Sequence, residues 1–380
     1  MKKISLFTNL FILVSWIYHP LQAEKSRQEL PYPSQKLHDI LVTTLENSNL
    51  NCTALVAVKG KVILSRGFGY ASREKKIKNT PHTQFLIGSI TKLFTAATIL
   101  KLVEQGKIQE TKPVAAYLPS DDPIWSNQIP EWANQITIHD LLTHSSGLED
   151  YISLPGFDHF YEKLHTTEDL IQFFASYSLK FRPGSKFEYG GAGYNLLGAI
   201  IERVSKVSYG QYMAQEFFKP LKMNSTFAPH ADFLSQVEKK HPSIASGYVL
   251  NPNHLVAPAG DVNLTTAFAE ASMISTVLDL YTWTNALFDH KVISEASLNK
   301  MVYPYLETNK ENVWVGYGIF IDKTDPHDPI YSHSGRINGY ESQWYYQPKR
   351  NITVLVLSNE MNGKTYQTAS SLLQSILLTK

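Results

Sequence analysis

Short strand-like segments lie near both ends of this 380-residue chain, and a long helix-like stretch separates them. Two runs of aliphatic and β-branched residues, 54–58 and 61–68, are separated only by Lys59 and Gly60, which predicts a β-hairpin. A helix is predicted at about 365–378. Four further strands are predicted at 318–321, 331–334, 341–346 and 352–358. Strands so far apart in sequence predict one split α/β domain with an all-helical insertion.

The stretch between these strands carries helical periodicity. One helix follows Gly88 and should end near Gly106, and another begins at about 137. Further helices are predicted at 167–176, 194–204, 209–218 and 277–288. We therefore assign residues 24–380 to a single catalytic unit. Its α/β part covers about 24–110 and 290–380, and its helical part covers about 111–289.

The first 23 residues have the pattern of a secretory signal peptide. Lys2 and Lys3 precede a mainly apolar run at 4–17, and we expect cleavage after Ala23. An uncleaved anchor helix is the alternative, but the run is shorter than the roughly 20 residues that a membrane span needs. We expect a periplasmic or secreted protein without a stable membrane span after cleavage.

Composition excludes several classes of function. The net charge of +1 gives no electrostatic indication of nucleic acid binding. The only cysteine, Cys52, can form neither an intramolecular disulfide nor a cysteine zinc cluster, and it is expected to pack as a small apolar side chain. The glycines at 190–193 lack the spacing of a dinucleotide-binding loop, and we expect neither a cofactor nor a metal.

Ser89 and Lys92 lie three residues apart where an apolar helix begins. Residues at this spacing share one helix face, so the amine can activate the hydroxyl as a nucleophile. The same spacing occurs at Ser72, in a charged turn, and at Ser297, on an amphipathic helix, and we expect neither serine to be buried. The alternative for Ser89 is a helix cap beside a solvated Lys92.

Two more clusters contain residues that can move protons or bind substrate. Tyr189 stands in a glycine-rich stretch before a helix, where its phenol could relay a proton, although a packed loop tyrosine is the alternative. His333, Ser334 and Gly335 lie on a predicted strand whose edge could present backbone donors to a substrate carbonyl. A structural role in hydrogen bonding is the alternative for His333.

Three motifs in this order resemble those of the serine β-lactamase and penicillin-binding protein superfamily. They are Ser89 with Lys92, Tyr189, and His333 with Ser334 and Gly335. The branch that resembles this chain most holds class C β-lactamases, DD-carboxypeptidases, D-amino-acid peptidases and related esterases, and segments 83–89, 138–148 and 275–280 resemble its landmarks. The resemblance implies an α+β fold of the β-lactamase/transpeptidase type, with an antiparallel sheet flanked by N- and C-terminal helices plus a mainly helical domain.

The same resemblance implies an acyl-enzyme mechanism. Ser89 would attack a carbonyl while Lys92 and Tyr189 move its proton, with His333 as a further catalytic residue. A free lysine titrates at about 10.4, so Lys92 could act as a base only with a lowered pKa, and the choice between Lys92 and Tyr189 stays open. The backbone amides of Ser89 and Arg336 would form the oxyanion hole.

The chain departs from the family pattern at two positions of the implied substrate site. Gly191 stands where the tyrosine motif often has asparagine, which removes a side-chain amide. His333 stands where many β-lactamases have lysine, which weakens the positive charge at neutral pH. Arg336 could contact a substrate carboxylate instead or could face solvent. Gly191 and His333 argue against an efficient β-lactamase. By the same resemblance, Ser334, Gly335, Arg336 and Gly191 are the expected substrate-binding residues.

The turn at 144–147 offers Ser145 or Ser146 as a rival nucleophile, but it lacks a Gly-x-Ser-x-Gly elbow and is interpreted as structural. We therefore expect an exported serine hydrolase acting on amide or ester bonds. Peptidoglycan stem peptides ending in D-alanine are the first substrate class, and small esters are the second. A class C-like β-lactamase and a non-catalytic protein that binds cell-wall fragments are the alternatives.

Overall fold

The structure is a computed structural model that describes residues 35–126, 128–229, 231–251, 253 and 255–379. The predicted signal peptide, residues 1–23, lies outside the described residues. No helix in the described part of the chain is both long enough and apolar enough to cross a membrane.

Most of the described strands lie near the two ends of the chain, and most of the described helices lie between them. The strands are β1 (Cys52–Val58), β2 (Lys61–Phe68), β3 (Tyr70–Ser72), β4 (Ile77–Lys78), β5 (Phe85–Leu86), β6 (Tyr248–Leu250), β7 (Val256–Pro258), β8 (Ile274–Ser275), β9 (Leu306–Glu307), β10 (Val313–Val315), β11 (Phe320–Asp322), β12 (Ile330–Ile337), β13 (Tyr340–Gln347), β14 (Ile352–Ser358) and β15 (Glu360–Met361). The helices are α1 (Gln35–Ser48), α2 (Thr91–Glu104), α3 (Ile138–Leu142), α4 (Phe157–Tyr161), α5 (Thr167–Ala175), α6 (Ala192–Ser205), α7 (Tyr209–Met213), α8 (Leu234–Lys240), α9 (Leu264–Ala271), α10 (Val277–Phe288), α11 (Glu295–Met301) and α12 (Lys364–Leu378).

An eight-stranded antiparallel sheet of described residues joins the two ends of the chain. Its strand order is β2-β1-β14-β13-β12-β11-β10-β9. The predicted hairpin is confirmed as β1 and β2, and β14, from the far end of the sequence, pairs with the other edge of β1. The helices α3 to α9 follow α2 and precede the return of the chain to this sheet.

Alternation along β1 and β14 gives the sheet two buried faces. Cys52, Ala54 and Val56 face an outer layer formed by α1 and α12, while Leu55 and Leu355 face the main core around α2. Burial raises the pKa of the Cys52 thiol to about 12, with a smaller contribution from a nearby carboxylate. The expectation that Cys52 packs as a small apolar side chain is confirmed.

The structure confirms the α+β fold with an antiparallel sheet and flanking helices from both ends of the chain. It differs locally from the predictions. The helices α1, α4, α8 and α9 were not predicted. The helix predicted at 209–218 ends at Met213 and continues as a π-helical turn, Ala214–Phe218. The strand predicted at 331–334 extends over all of Ile330–Ile337, because β13 pairs with it from Tyr331 to Ile337.

Candidate active site

Ser89 lies in a short 3-10 turn, Gly88–Ile90, that leads directly into α2. Lys92 follows one turn later, and its Nζ atom lies 3.1 Å from Ser89 Oγ. The Lys92 side chain is fully buried, and Ser89 is half-buried. The structure therefore brings the predicted hydroxyl and amine together inside the protein.

The two other Ser-x-x-Lys segments differ from this one in their lysines. Ser72 and Ser297 are buried, so the expectation that they lie at the surface was wrong. The Ser72 hydroxyl donates to Glu74 at 3.3 Å, and the Ser297 hydroxyl accepts from Ser294 at 3.3 Å, so each serine has a local polar partner. Lys75 is exposed, and Lys300 is an exposed side chain that bonds Glu110 at 2.6 Å. Within the described residues, the Ser89 segment is the one of these three whose lysine points at its serine.

Lys92 is held by groups that favour its charged form. Its Nζ atom bonds the Glu270 carboxylate at 2.8 Å and the Glu270 backbone carbonyl at 3.2 Å. Burial acts to lower the pKa of the Lys92 ammonium, but Glu270 and Tyr189 together outweigh burial and raise that pKa above its ordinary value. A lysine that keeps its proton cannot accept the proton of Ser89.

Tyr189 lies in the loop before α6, and aromatic neighbours fix its ring. The ring centre is 5.0 Å from Lys92 Nζ, within cation–π range. The His144 ring centre lies 4.5 Å away on one side, and Phe320 lies 6.1 Å away. The structure therefore places the predicted phenol beside the buried ammonium.

His333 is buried on β12 and has one defined hydrogen bond. Its Nδ1 atom lies 2.7 Å from the Ser334 carbonyl oxygen, which can only accept, so the hydrogen is on Nδ1. The buried Nε2 atom has no hydrogen-bond partner among the described residues. Burial, and then the Lys92 charge, lower the pKa of His333 to about 3. The imidazole is therefore neutral at physiological pH and supplies no positive charge to a substrate.

The edge of β12 beside Ser89 is open to a substrate. β11 pairs with β12 at 330–332, so this pairing stops before His333. A Cβ atom on Gly335 would lie 1.9 Å from the Ile87 carbonyl oxygen, and one on Gly88 would lie 2.6 Å from the Arg336 backbone nitrogen. Only glycine allows this approach, which brings the Arg336 amide beside the Ser89 turn.

Two further predicted substrate residues, Ser334 and Arg336, expose their side chains beside this edge. The Arg336 guanidinium is about half exposed, and its Nε atom lies 3.9 Å from a Glu341 carboxylate oxygen. Arg336 therefore faces solvent and already has a carboxylate neighbour.

Position 191 has an acidic neighbour that sequence reasoning missed. A Cβ atom on Gly191 would lie 2.5 Å from the Glu270 carboxylate, and Tyr151 Oη donates to Glu270 Oε1 at 2.5 Å. Beside them, burial and then the Glu270 charge raise the pKa of Asp150 to about 7. Glu270 is the one acidic residue in α9, whose other residues are small or apolar, and this contrast was the signal available in the sequence.

The rival nucleophile at 144–147 has structural partners. Ser145 is fully buried, and its Oγ atom contacts Thr143 Oγ1 at 2.9 Å and Asp140 Oδ1 at 3.4 Å. Among the described residues there is no cluster of three histidine, cysteine, aspartate or glutamate side chains suited to a metal ion.

Comparison with known proteins gives one consistent result. A family model described as beta-lactamase matches residues 46–377. The putative penicillin-binding protein PbpX of Bacillus subtilis is 30% identical over 331 residues, which cover 85% of this chain and 76% of the relative. Protein flp of Staphylococcus aureus is also 30% identical, and the match covers 86% of this chain but 63% of that protein.

Solved structures agree with these sequence matches. The octameric penicillin-binding protein homologue from Pyrococcus abyssi superposes with a TM-score of 0.77 at 28% identity, covering 91% of this chain and 77% of that one. D-amino acid amidase from Ochrobactrum anthropi SV3 superposes with a TM-score of 0.74 at 22% identity, covering 90% of this chain and 98% of that one. The second likeness shows the shared fold alone.

Proposed function

This chain belongs to the beta-lactamase family, and we propose that it is an exported serine hydrolase that cleaves amide or ester bonds through an acyl-enzyme on Ser89. The observation that carries the proposal is the 3.1 Å contact between Ser89 Oγ and the buried Lys92 Nζ. A buried ammonium beside a hydroxyl can stabilise the negative charge that develops when the hydroxyl attacks a carbonyl, and such buried charges are typical of functional sites.

The proposed reaction begins with attack of Ser89 Oγ on the substrate carbonyl carbon. The raised pKa of Lys92 keeps it an ammonium, so the Ser89 proton passes to the oxygen of Tyr189 while the Tyr189 hydroxyl proton passes to the leaving group. The nearby ammonium stabilises the developing negative charge, and the amides of Ser89 and Arg336 bind the oxyanion. The leaving group departs with that proton, and water then releases the acyl group from Ser89.

The charges of the site bear on its substrates. His333 is neutral, Glu270 adds a carboxylate, and Arg336 already has Glu341 as a neighbour. Neutral amides and esters match this balance better than substrates with a carboxylate beside the scissile bond. We therefore propose an esterase-like activity first. A DD-carboxypeptidase-like activity is second, because it requires Arg336 to contact the terminal carboxylate of a D-alanine peptide in addition to its neighbour Glu341.

Covalent labelling tests this proposal. The mature protein is treated with a fluorophosphonate and with a fluorescent penicillin, alongside Ser89→Ala and, as the matched control from another Ser-x-x-Lys segment, Ser72→Ala. We expect label on the wild type and on Ser72→Ala, and none on Ser89→Ala. No Ser89-dependent label with either probe would instead favour a non-catalytic binding protein.

Turnover assays separate the substrate classes. A nitrophenyl ester, a D-alanyl-D-alanine peptide and a cephalosporin are compared at equal concentration. We expect the ester or the peptide to turn over faster than the cephalosporin. Turnover of the cephalosporin alone would identify a class C-like β-lactamase and overturn the proposed preference.

A further inference from the structure

The space beside Gly191 is filled by a side chain from another part of the chain. A Cβ atom added to Gly191 would lie 2.5–2.6 Å from both oxygens and the carboxyl carbon of Glu270. Any residue larger than glycine at 191 would therefore collide with that carboxylate. The two positions are 79 residues apart, so the fold brings them together. The Glu270 carboxylate lies where a side chain at position 191 would begin.

The backbone around Glu270 is shaped to deliver its carboxylate to Lys92. Phe268, two residues earlier, has φ 24° and ψ −124°, which breaks the regular course of α9. A non-glycine residue in this region costs about 1–3 kcal/mol and persists only where surrounding contacts impose it. One such contact is the hydrogen bond that Thr95 Oγ1 donates to the Ala269 carbonyl at 2.7 Å.

The contacts of Lys92 match an ammonium. The three hydrogens of an ammonium have three acceptors here, namely Ser89 Oγ, the Glu270 carbonyl and the Glu270 carboxylate. Two of the three acceptors belong to Glu270. The other carboxylate oxygen receives the Tyr151 hydroxyl, so Glu270 is itself fixed from both sides.

We infer that Glu270 is a positioning residue of the Ser89 site, whose carboxylate takes the space that Gly191 leaves open and keeps Lys92 charged and aimed at Ser89. This inference rests on the proposed function for its catalytic meaning. Glu270 touches no reacting atom, and it acts through Lys92. Position 191 and position 270 thus form a matched pair, in which the acidic side chain at 270 occupies space that glycine at 191 leaves free.

Removing the charge of Glu270 should lower the pKa of Lys92, Asp150 and Tyr151, because a nearby negative charge favours protonated forms. Three further titratable groups face Lys92 from other elements, namely Tyr189, His144 and His333. The high-pH limb of the profile of Ser89 acylation, where Lys92 loses its proton, should therefore move toward lower pH.

The test measures Lys92 directly in the full mature protein. The 13Cε resonance of Lys92, assigned with a Lys92→Met variant, is titrated in the wild type and in the isosteric Glu270→Gln variant. We expect the Lys92 pKa to fall by about 1–3 units in Glu270→Gln, because burial is then opposed by fewer partners. An equal titration in both proteins would overturn the inference, whether or not the protein proves to be a hydrolase.

Acylation kinetics provide the second readout. We expect the pH profile of Ser89 labelling in Glu270→Gln to shift by about one unit or more toward lower pH. Glu202→Gln is the matched control, because Glu202 is a half-buried carboxylate bonded to Thr167 and the Tyr209 amide away from the site. A uniform loss of rate without a shift would mean that Glu270 is merely structural. If Ser89 is not labelled at any pH even in the wild type, the proposed function is contradicted. The Lys92 titration would still decide whether Glu270 keeps Lys92 charged.

A double-mutant cycle tests the matched pair. Gly191→Asn and Glu270→Ala should each reduce kcat/KM about 10²-fold, because each displaces Lys92 from its position. The combined variant removes the collision and supplies a side-chain amide at position 191. Its fold reduction in kcat/KM should therefore be much smaller than the product of the two single reductions. Thermal unfolding verifies that each variant folds. The Glu270→Asp variant keeps the negative charge, so the pKa of Lys92 should stay high in it. Losses that simply multiply would contradict the pairing.

Discussion

The two faces of the central sheet differ in the side chains that they bury. On the outer face, Leu41 and Leu45 of α1 and Leu372 of α12 pack against the apolar residues of β1 and β14. On the inner face, α2 buries Lys92 completely, and β12 buries His333 with its Nε2 atom unpartnered among the described residues. The buried ion pair of Lys92 and Glu270 lies on the inner face, beside Ser89.

The difference shows what each face contributes. Burying a leucine side chain stabilises the fold by about 1.5–3 kcal/mol, so the outer layer contributes stability. Burying an ammonium and a carboxylate carries a desolvation penalty that their attraction offsets only with well-placed hydrogen bonds. The inner face therefore gives up some stability for a charged pair beside Ser89, which is the pattern of a functional site.

The largest expected effect comes from removing the inner charge. Lys92→Met keeps the length of the side chain but removes the ammonium, so Ser89 acylation should slow about 10³-fold. Lys101→Met, on the same helix and paired with Glu104 near the surface, is the matched control and should acylate at the wild-type rate. Stopped-flow labelling with a chromogenic ester measures both. Equal rates for Lys92→Met and wild type would remove the functional distinction between the faces.

A smaller effect is expected from the outer layer, and on stability alone. Leu41→Ala should reduce the free energy of unfolding by about 2–5 kcal/mol, because it leaves a cavity against the sheet. Ile40→Ala, at an exposed position of the same helix, should change it by less than about 0.5 kcal/mol. Urea unfolding measures both variants, and acylation by the folded fraction should be unchanged. A specific loss of acylation in Leu41→Ala would show that the two faces are coupled.

The third prediction concerns the acidic edge of the inner face. The pKa of Asp150 is raised, so its protonated form favours the folded state, and this stabilisation is lost as pH rises from about 4 through about 7. The unfolding free energy of the wild type should therefore fall relative to Asp150→Asn across this range, by the order of 2 kcal/mol. Thermal unfolding of both proteins from pH 4 to pH 8 measures the difference. A difference that is constant with pH would show that Asp150 does not titrate there.

The smallest expected effect is a null result at His333. With its pKa lowered to about 3 by burial and Lys92, the ring should stay neutral between pH 5 and pH 8. Its 13Cε1 resonance should not move over this range in the folded protein but should titrate in urea. A folded-state titration near the ordinary histidine pKa, about 6.5, would show that the inner face is wetter than its packing indicates.

Local patterns predicted the parts of the molecule whose geometry is local. The hairpin follows from two residues between two strands, and α10 and β14 have the bounds that their periodicity predicted. Ser89 and Lys92 meet because they lie one turn apart at the start of one helix. The outer helix α1 carried the same kind of signal in Leu37, Leu41 and Leu45, and this signal was overlooked.

Other features depend on contacts between distant segments and could not be read from local patterns. Glu270 lies 178 residues from Lys92 and reaches it through the irregular backbone of α9, whose short run of small residues resembles a loop. The neutrality of His333 follows from desolvation, which is set only when β12 packs beside α2. The sequence showed that Gly191 replaces the asparagine of the family motif, but it did not show that Glu270 fills the space beside it.

Identification of the acylated residue by peptide mapping is the most direct test of the central claim. The wild-type protein and Lys92→Met are incubated with a fluorophosphonate, quenched at matched times and digested for mass spectrometry. The account predicts one adduct, on Ser89, that forms about 10³-fold more slowly in Lys92→Met. An adduct on Ser145 or Ser146, or one that forms at the same rate without Lys92, would contradict it.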